Sequence, residues 1–405
     1  MKDGNKNRLR AQDIHKIVDA FNKQASIEKY SRLVPVSEIF DNDFNLNIPR
    51  YIDSSEPEDL QDIAAHLLGG IPNHDIDDLA GYWEVLPNVR SALFGATNRA
   101  AYSELKVPAS EIKATIFGHA EFESFTETVH SHFDEWKEGN HSLLTGIKVG
   151  DHPKALIETI SESLLDTFKA VPLLDAYDVY QHLMTYWAET MQDDVYMLVH
   201  DGWTALADGK PNIGLIPISL IVAQYFADDA KAIEQLEAGR DAISRQMEEL
   251  DEEHGSEDGL LYEAKTEKGK LTKVSVKARL SEIKKEADAA EESKLLNKYL
   301  ELIEREAAAS KKIKDAQRGL DVKVTAQYGK LTEAEIKALV VDDKWLTTLA
   351  ADAQTELDRV SQALTGRIKE LADRYAMPMP KLTAEVEVLA ARVDEHLKKM
   401  GFAWN

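Results

Sequence analysis

In the stretch IEQLEAGRDAISRQMEEL, residues 233–250, mostly apolar residues recur at alternating steps of three and four residues and form a seam along one face of a helix. Such a seam is typical of a long helix that packs along a second helix. Its members are Ile233, Leu236, Arg240, Ile243, Met247 and Leu250. Alanine, glutamate, lysine and leucine dominate the chain from about residue 228 onward, and the sequence therefore predicts long paired helices in this half.

Two more seams follow. Thr332 and Glu335 have the spacing of a capping box, with Leu331 and Ile336 placed as a hydrophobic staple, so a helix should begin there. Pro378 separates the two seams. The first comprises Leu346, Leu349, Ala353, Leu357, Val360, Leu364 and Leu371, and the terminal one comprises Leu382, Val386, Leu389, Val393 and Leu397. We expect the middle seams to pair inside the chain and the terminal seam to serve as a docking surface.

Upstream of the seams the sequence predicts shorter helices, rich in aromatic residues and divided by Gly and Pro. Near the N-terminus, Phe44, Leu46 and Ile48 alternate with polar residues, which predicts an edge strand or extended segment ahead of Pro49. The predicted fold class is therefore mainly α, with a multi-helix domain, long antiparallel coiled-coil-like helices and one small extended or β element. We place domain boundaries so as to give residues 1–55, 56–228 and 229–405.

The chain is acidic, with 48 Lys plus Arg against 72 Asp plus Glu and a formal net charge of −24 over 405 residues. A field of this sign argues against a protein that coats DNA or anionic membrane by bulk charge. The longest apolar run, residues 213–223, is broken by Gly214 and Pro217 and is too short to span a bilayer. Cysteine is absent, which excludes disulfides and thiolate chemistry and favours a cytoplasmic protein.

Motifs for self-contained catalysis are missing from the sequence. No two glycines are separated by a single residue, as the phosphate-binding turn of a doubly wound sheet requires. The spacing of His119, His130, His132, His141 and His152 matches no helix-borne metal site. We therefore assign no catalytic, cofactor-binding or metal-binding residue to the chain.

A basic stretch follows the acidic run of residues 248–258. Its candidate phosphate contacts are Lys265, Lys268, Lys270, Lys273 and Lys277. Two explanations remain open: these lysines bind nucleic-acid phosphate, or they neutralise the neighbouring acidic run, which we favour.

The string Asn42-Asp43-Phe44-Asn45-Leu46-Asn47-Ile48-Pro49-Arg50-Tyr51-Ile52 closely resembles the N-D-[YF]-x-L-N-I-P-R-Y motif of type I restriction–modification M subunits, which are adenine-specific DNA methyltransferases. Preceding segments at residues 14–18 and 27–34 resemble the family in the same order, and strings at 173–180, 187–194 and 341–345 resemble the helical C-terminal regions of its longer members. The motif residues Asn45, Asn47, Pro49, Arg50 and Tyr51 are accordingly candidates for a structural or DNA-proximal role.

The resemblance implies the C-terminal portion of such a protein, because the family's glycine-bearing S-adenosylmethionine motif and its N-P-P-[FY] motif are both missing. Residues 1–55 would end the catalytic domain, and residues 229–405 would dock other subunits. The implied partners are the specificity (S) subunit, the restriction (R) subunit through the complex, and DNA in the assembled enzyme, with no membrane. S-adenosylmethionine would be the cofactor of the full-length enzyme and not of this chain.

Two other hypotheses compete with this one. The chain could be a stand-alone helical scaffold derived from the same region. It could also be an enzyme with an unrecognised helical active site in the aromatic-rich middle, around residues 177–187.

Overall fold

The computed structural model describes residues 2–3, 6–55, 60–284 and 289–402. The described chain is mainly helical. Helices α1 to α18 span, in order, Ala11–Asn22, Val36–Asp41, Ile63–Leu68, Asn73–Asp77, Ala80–Val85, Pro87–Leu93, Ile112–Phe117, Ala120–Thr145, Pro153–Phe168, Ala176–Tyr186, Gln192–Asp201, Ile218–Tyr225, Ala227–His254, Lys273–Ile283, Ala290–Tyr328, Glu333–Lys337, Thr347–Arg374 and Met379–Lys399. Shorter 3₁₀ turns lie at Ile48–Arg50 and Tyr262–Ala264, and π-helical segments lie at Trp187–Met191 and Ala338–Leu346. Among the described residues, no helix is both long and apolar enough to cross a membrane.

The strands are short and antiparallel. Strands β1 to β7 span Lys2–Asp3, Lys6–Asn7, Ile71–Pro72, Phe94–Ala96, Tyr102–Leu105, Leu206–Ala207 and Lys210–Pro211. β5 is the centre of a three-stranded sheet, in which Ser103 lies opposite Ile71 of β3 on one side and Ala96 of β4 on the other. The other strands form two-stranded hairpins.

The chain packs as two compact units. Unit 1 consists of Met1–His200 together with Trp345–Asn405, and unit 2 consists of Asp201–Lys344. The sequence placed its boundaries at residues 55 and 228 instead, so the last two helices lie in the same unit as the aromatic-rich region. The roles assigned to the three predicted regions stay predictions.

The core of unit 1 forms around α17. This helix contacts α7, α8 and α10, and its whole predicted seam is buried. Around it, α8, α9 and α10 contribute buried aromatic and aliphatic side chains such as Trp136, Phe168 and Leu183. The indole N–H of Trp136 donates to the Ile160 carbonyl at 3.0 Å, which satisfies its polar atom inside the core.

In unit 2, the long helices α13 and α15 run antiparallel. Lys323 of α15 forms an ion pair with Asp229 of α13 at 2.8 Å, and Gln317 of α15 bonds Glu237 of α13 at 3.1 Å. Residue numbers therefore increase along α13 in the direction in which they decrease along α15. A hydrophobic cluster joins them to α14, with Leu250, Val276, Ile283, Leu296, Tyr299 and Leu302 buried in it. The long antiparallel helices predicted from the 233–250 seam are thus confirmed.

The predicted capping box at α16 is also confirmed. The Thr332 hydroxyl accepts from the Glu335 amide at 3.3 Å, and the Glu335 carboxylate accepts from the Thr332 amide at 2.8 Å. These bonds favour the ionised carboxylate and hold the pKa of Glu335 below its usual value.

The mainly α fold class is confirmed, including small β elements in the N-terminal part. Of the two forms predicted for residues 44–48, an edge strand or an extended segment, the edge strand does not form. Asp43 and Phe44 have φ angles of 54° and 56°, in the left-handed region, and the chain then enters the 3₁₀ turn at Ile48. Strands β3, β4 and β5 lie further along the chain.

Candidate functional site

Hydrogen bonds fix the turns of the motif segment, residues 42–52. The Asn45 side chain accepts from the Asn47 amide at 2.9 Å, and the Tyr51 hydroxyl donates to the Asn45 carbonyl. The Arg32 guanidinium donates to the Tyr51 carbonyl at 3.0 Å and pairs with Glu38 of α2. Asn45 and Tyr51 therefore stabilise the local conformation, and Arg32 connects it to the preceding helix.

The remaining motif residues lie at the surface. Pro49 occupies the first turn of the 3₁₀ helix, where its missing N–H leaves no bond unmade. The Arg50 side chain is exposed and makes no hydrogen bond or ion pair with any residue that the structure describes. Arg50 is thus available to a phosphate or carboxylate brought by another molecule.

Apolar side chains around the motif are exposed to an unusual degree. Among residues 8–55, Gln12 is buried, and no apolar side chain is. We define the N-terminal apolar surface as the side chains here that are more than half exposed: Leu9, Ile14, Phe21, Leu33, Val36, Phe40, Phe44, Leu46 and Ile48. Single exposed apolar residues are ordinary, but so many in one segment indicate a surface that another body covers.

A groove opens beside this surface. Its volume is ≈ 720 Å³, and its lining includes Ile17, Phe21, Ala25, Tyr30 and Leu33. The lining is largely apolar, so the groove is suited to receive apolar side chains of a neighbouring domain.

Polar contacts fasten α1 to α10. The Gln12 side chain donates to Asp178 at 2.6 Å, and Lys16 pairs with Asp175 at 2.9 Å. The Tyr177 hydroxyl donates to Asp19 at 2.9 Å. Burial, together with this bond to a carboxylate, raises the pKa of Tyr177, so the phenol stays a protonated donor at neutral pH. Helix α1 is therefore held to α10 largely through hydrogen bonds and an ion pair.

These contacts bear on the alternative of an active site around residues 177–187. Tyr177 bonds α1, and Tyr180 stacks on His15 of α1 with ring centroids 4.9 Å apart. The start of α10 thus has a packing role. An active site at this position stays a hypothesis.

Three of the five histidines singled out from the sequence bond to different partners. His119 caps α8 by accepting from the Glu121 amide at 3.2 Å, while His130 bonds Gln354 at 2.9 Å and His132 bonds the Thr128 carbonyl at 2.8 Å. Within the described ranges, no group of three or more His, Asp or Glu side chains is placed to hold a metal ion.

Two buried aspartates were missed by sequence reasoning. Asp75 accepts from the Tyr375 hydroxyl at 3.0 Å, and Asp194 accepts from the Trp345 indole at 2.8 Å. The second bond joins the string at 187–194 to the string at 341–345. No local signal marks either aspartate, because each donor lies more than a hundred residues away.

Trp345→Phe should lower the free energy of unfolding by about 2–3 kcal/mol, since it removes a donor from a fully buried carboxylate. Thermal and denaturant unfolding would measure the loss. Trp136→Phe is the matched control, because that equally buried indole donates to a neutral carbonyl. Equal losses in the two variants would show that the bond to Asp194 contributes no more than a bond to a neutral acceptor.

In unit 2, the basic stretch is partly paired with acidic side chains. Lys265 pairs with Asp251 at 2.7 Å, and Lys273 and Lys277 lie 3.0 and 3.9 Å from Glu304. Lys268 and Lys270 lie in an exposed turn. Lys265 thus pairs with the neighbouring acidic run, whereas Lys273 and Lys277 pair with Glu304 outside that run, and both explanations of the basic stretch stay predictions.

The terminal helix α18 differs from α17 in burial. No side chain of α18 is buried, and of its predicted stripe Leu382, Val386, Leu389 and Val393 are exposed while Leu397 is half-buried. Although α18 contacts α3, the first four side chains of the stripe are open to solvent over the residues that the structure describes.

Residues 1–60 match the family model described as N-6 DNA Methylase. No curated protein and no solved structure matches the chain. The matched region contains the whole motif of residues 42–52 and the whole N-terminal apolar surface. Over residues 1–60 the chain is thus similar to the N-6 DNA methylases, which supports a relation of this protein to the DNA methyltransferases.

Proposed function

We propose that the chain is the C-terminal part of the modification subunit of a type I restriction–modification system. In the assembled enzyme it supports DNA adenine methylation by connecting the catalytic domain to the specificity subunit. The observation that carries the proposal is the N-terminal apolar surface, which coincides with the region similar to N-6 DNA methylases. A segment that ends a catalytic domain has such a face, because the rest of that domain packs on it.

The contacts of this segment support the same role. Hydrogen bonds and ion pairs attach α1 to α10 of unit 1, whereas the apolar side chains remain available to a second body. The segment would thus join the catalytic domain to the helical unit. Arg50, and the lysines of the basic stretch, are our candidates for DNA phosphate contacts in the complex.

The other end of unit 1 supplies the proposed docking surface. The stripe of α18 would bind helices of the specificity subunit, and the restriction subunit would join through that complex. An apolar stripe with charged flanks is the usual means by which one helix selects another. Such an assembly acts on cellular DNA, so we place it in the cytoplasm.

A reconstitution tests the proposal. The chain is mixed with the specificity subunit and with a separately expressed catalytic portion of the modification subunit that contains both missing motifs. We expect methyl transfer from S-adenosylmethionine to DNA adenine in the complete mixture and none when this chain is omitted. Equal activity without the chain would contradict the proposal and favour a stand-alone scaffold.

The chain alone should not bind S-adenosylmethionine. The sequence lacks the glycine turn by which a backbone approaches that ligand, and β1 to β7 are all antiparallel, which is unlike the parallel sheet of such sites. Calorimetric titration should give no heat beyond dilution. A stoichiometric site of micromolar affinity would show that this chain contains cofactor-binding chemistry of its own.

A further inference from the structure

The exposed stripe of α18 follows a seven-residue pattern from Met379 to Val393, and Met400 continues it just past the end of the helix. Met379, Val386, Val393 and Met400 recur at one seam position, while Leu382, Leu389 and the polar His396 occupy the other. Val386, Leu389 and Val393 are 63%, 57% and 55% exposed, and Leu382 is 42% exposed. Side chains at this spacing lie on one face, so α18 presents a continuous seam for a second helix.

The side chains on either side of the seam indicate which partner helix fits it. Glu385 and Arg392, two turns apart, lie on the same flank, and neither makes an ion pair with a residue that the structure describes. The other flank places Thr383 and Ala390 beside the seam, where small uncharged side chains permit a close approach.

These flanks are self-complementary when two α18 helices run antiparallel. With Val386 opposite Leu389 of a second copy, Leu382 lies opposite Val393, so apolar pairs close the central part of the seam, while Met379 lies opposite His396 at each end. Glu385 then faces Arg392 of the second copy, and the two-fold axis repeats this ion pair on the other side. In a parallel arrangement Glu385 would face Ala390, and no such pair would form.

We propose that two copies of this chain pair antiparallel through α18. The pairing rests on the side chains of α18 and is independent of the proposed function. A specificity subunit that binds the same stripe would have to displace the second copy, so self-pairing would hold the free chain in a form unable to dock. One helix pair is a small interface, and association in the micromolar range is expected.

Charge exchange tests the pairing on the full chain. Sedimentation equilibrium across the micromolar range should show dimers of the unaltered protein. In each single variant, E385R or R392E, residues 385 and 392 carry like charges, and the two-fold axis repeats this repulsion on both sides of the helix pair. Each variant should therefore weaken the dimer roughly tenfold or more. The double variant E385R/R392E restores both pairs and should restore the affinity. An equimolar mixture of the two single variants should likewise form heterodimers.

A protein that remains monomeric at high micromolar concentration would overturn the proposal. Dimers that form equally in all variants would also overturn it, because association through other apolar surfaces or through a parallel α18 pair does not depend on these charges. Neither result changes whether the specificity subunit binds, which a separate pull-down measures.

Discussion

Replacing Leu46 and Ile48 by aspartate should abolish adenine methylation in the reconstituted mixture and leave the melting temperature of the isolated chain unchanged. The two side chains are 72% and 67% exposed in the free chain, so the carboxylates remain in water and cost little there. In the complex they would be buried against the catalytic domain. An unpaired buried carboxylate costs several kcal/mol, so binding should weaken by roughly a hundredfold or more.

A matched control comes from unit 2. Val274 and Val322 are 79% and 66% exposed, and their replacement by aspartate adds the same charge outside the N-terminal apolar surface. This control variant should methylate like the unaltered protein. If the Leu46 and Ile48 variant also keeps full activity, the proposed contact with the catalytic domain is wrong. A large fall in its melting temperature would instead show that the two side chains contribute to internal packing.

The helices could be predicted from the sequence where the residue spacing that indicates them is local. The seam of residues 233–250 and the capping box at Thr332 both depend on spacings within a few turns, and both are confirmed. The strand predicted at Phe44 failed because left-handed backbone at Asp43 and Phe44 interrupts the extended chain. Strands β4 and β5, of three and four residues, are too short for an alternating pattern to become visible.

Part of the candidate functional site could be predicted from the sequence. The motif string identified the segment that matches the N-6 DNA methylase model, and it contains Asn45 and Tyr51, which bond each other. The attachment of α1 to α10 through Gln12 and Asp178 joins residues far apart in sequence, for which no local pattern exists. The same limit applies to Tyr375 and Asp75.

Seam patterns also predict helices better than they predict burial. The seams of α17 and α18 have the same three- and four-residue steps, yet the first is buried throughout and the second is exposed. The difference comes from tertiary packing, since α7, α8 and α10 cover α17. Pro378, between the two seams, was the one local sequence feature that indicated that α17 and α18 are separate helices. Exposure is a requirement for docking, and docking itself stays a prediction.

The double variant Leu389→Ala with Val393→Ala should weaken binding of the specificity subunit by roughly a hundredfold, because burying these side chains contributes about 3 kcal/mol in total. At a concentration below the range in which α18 pairs with a second copy, the melting temperature of the isolated chain should not change, since both side chains are more than half exposed. The control places the same substitutions in α17, at Leu357 and Val360, which are 0% and 5% exposed. That variant should lose about 2–5 kcal/mol of stability for the leucine alone. Unaltered binding by the α18 variant in a quantitative pull-down would show that the specificity subunit docks elsewhere.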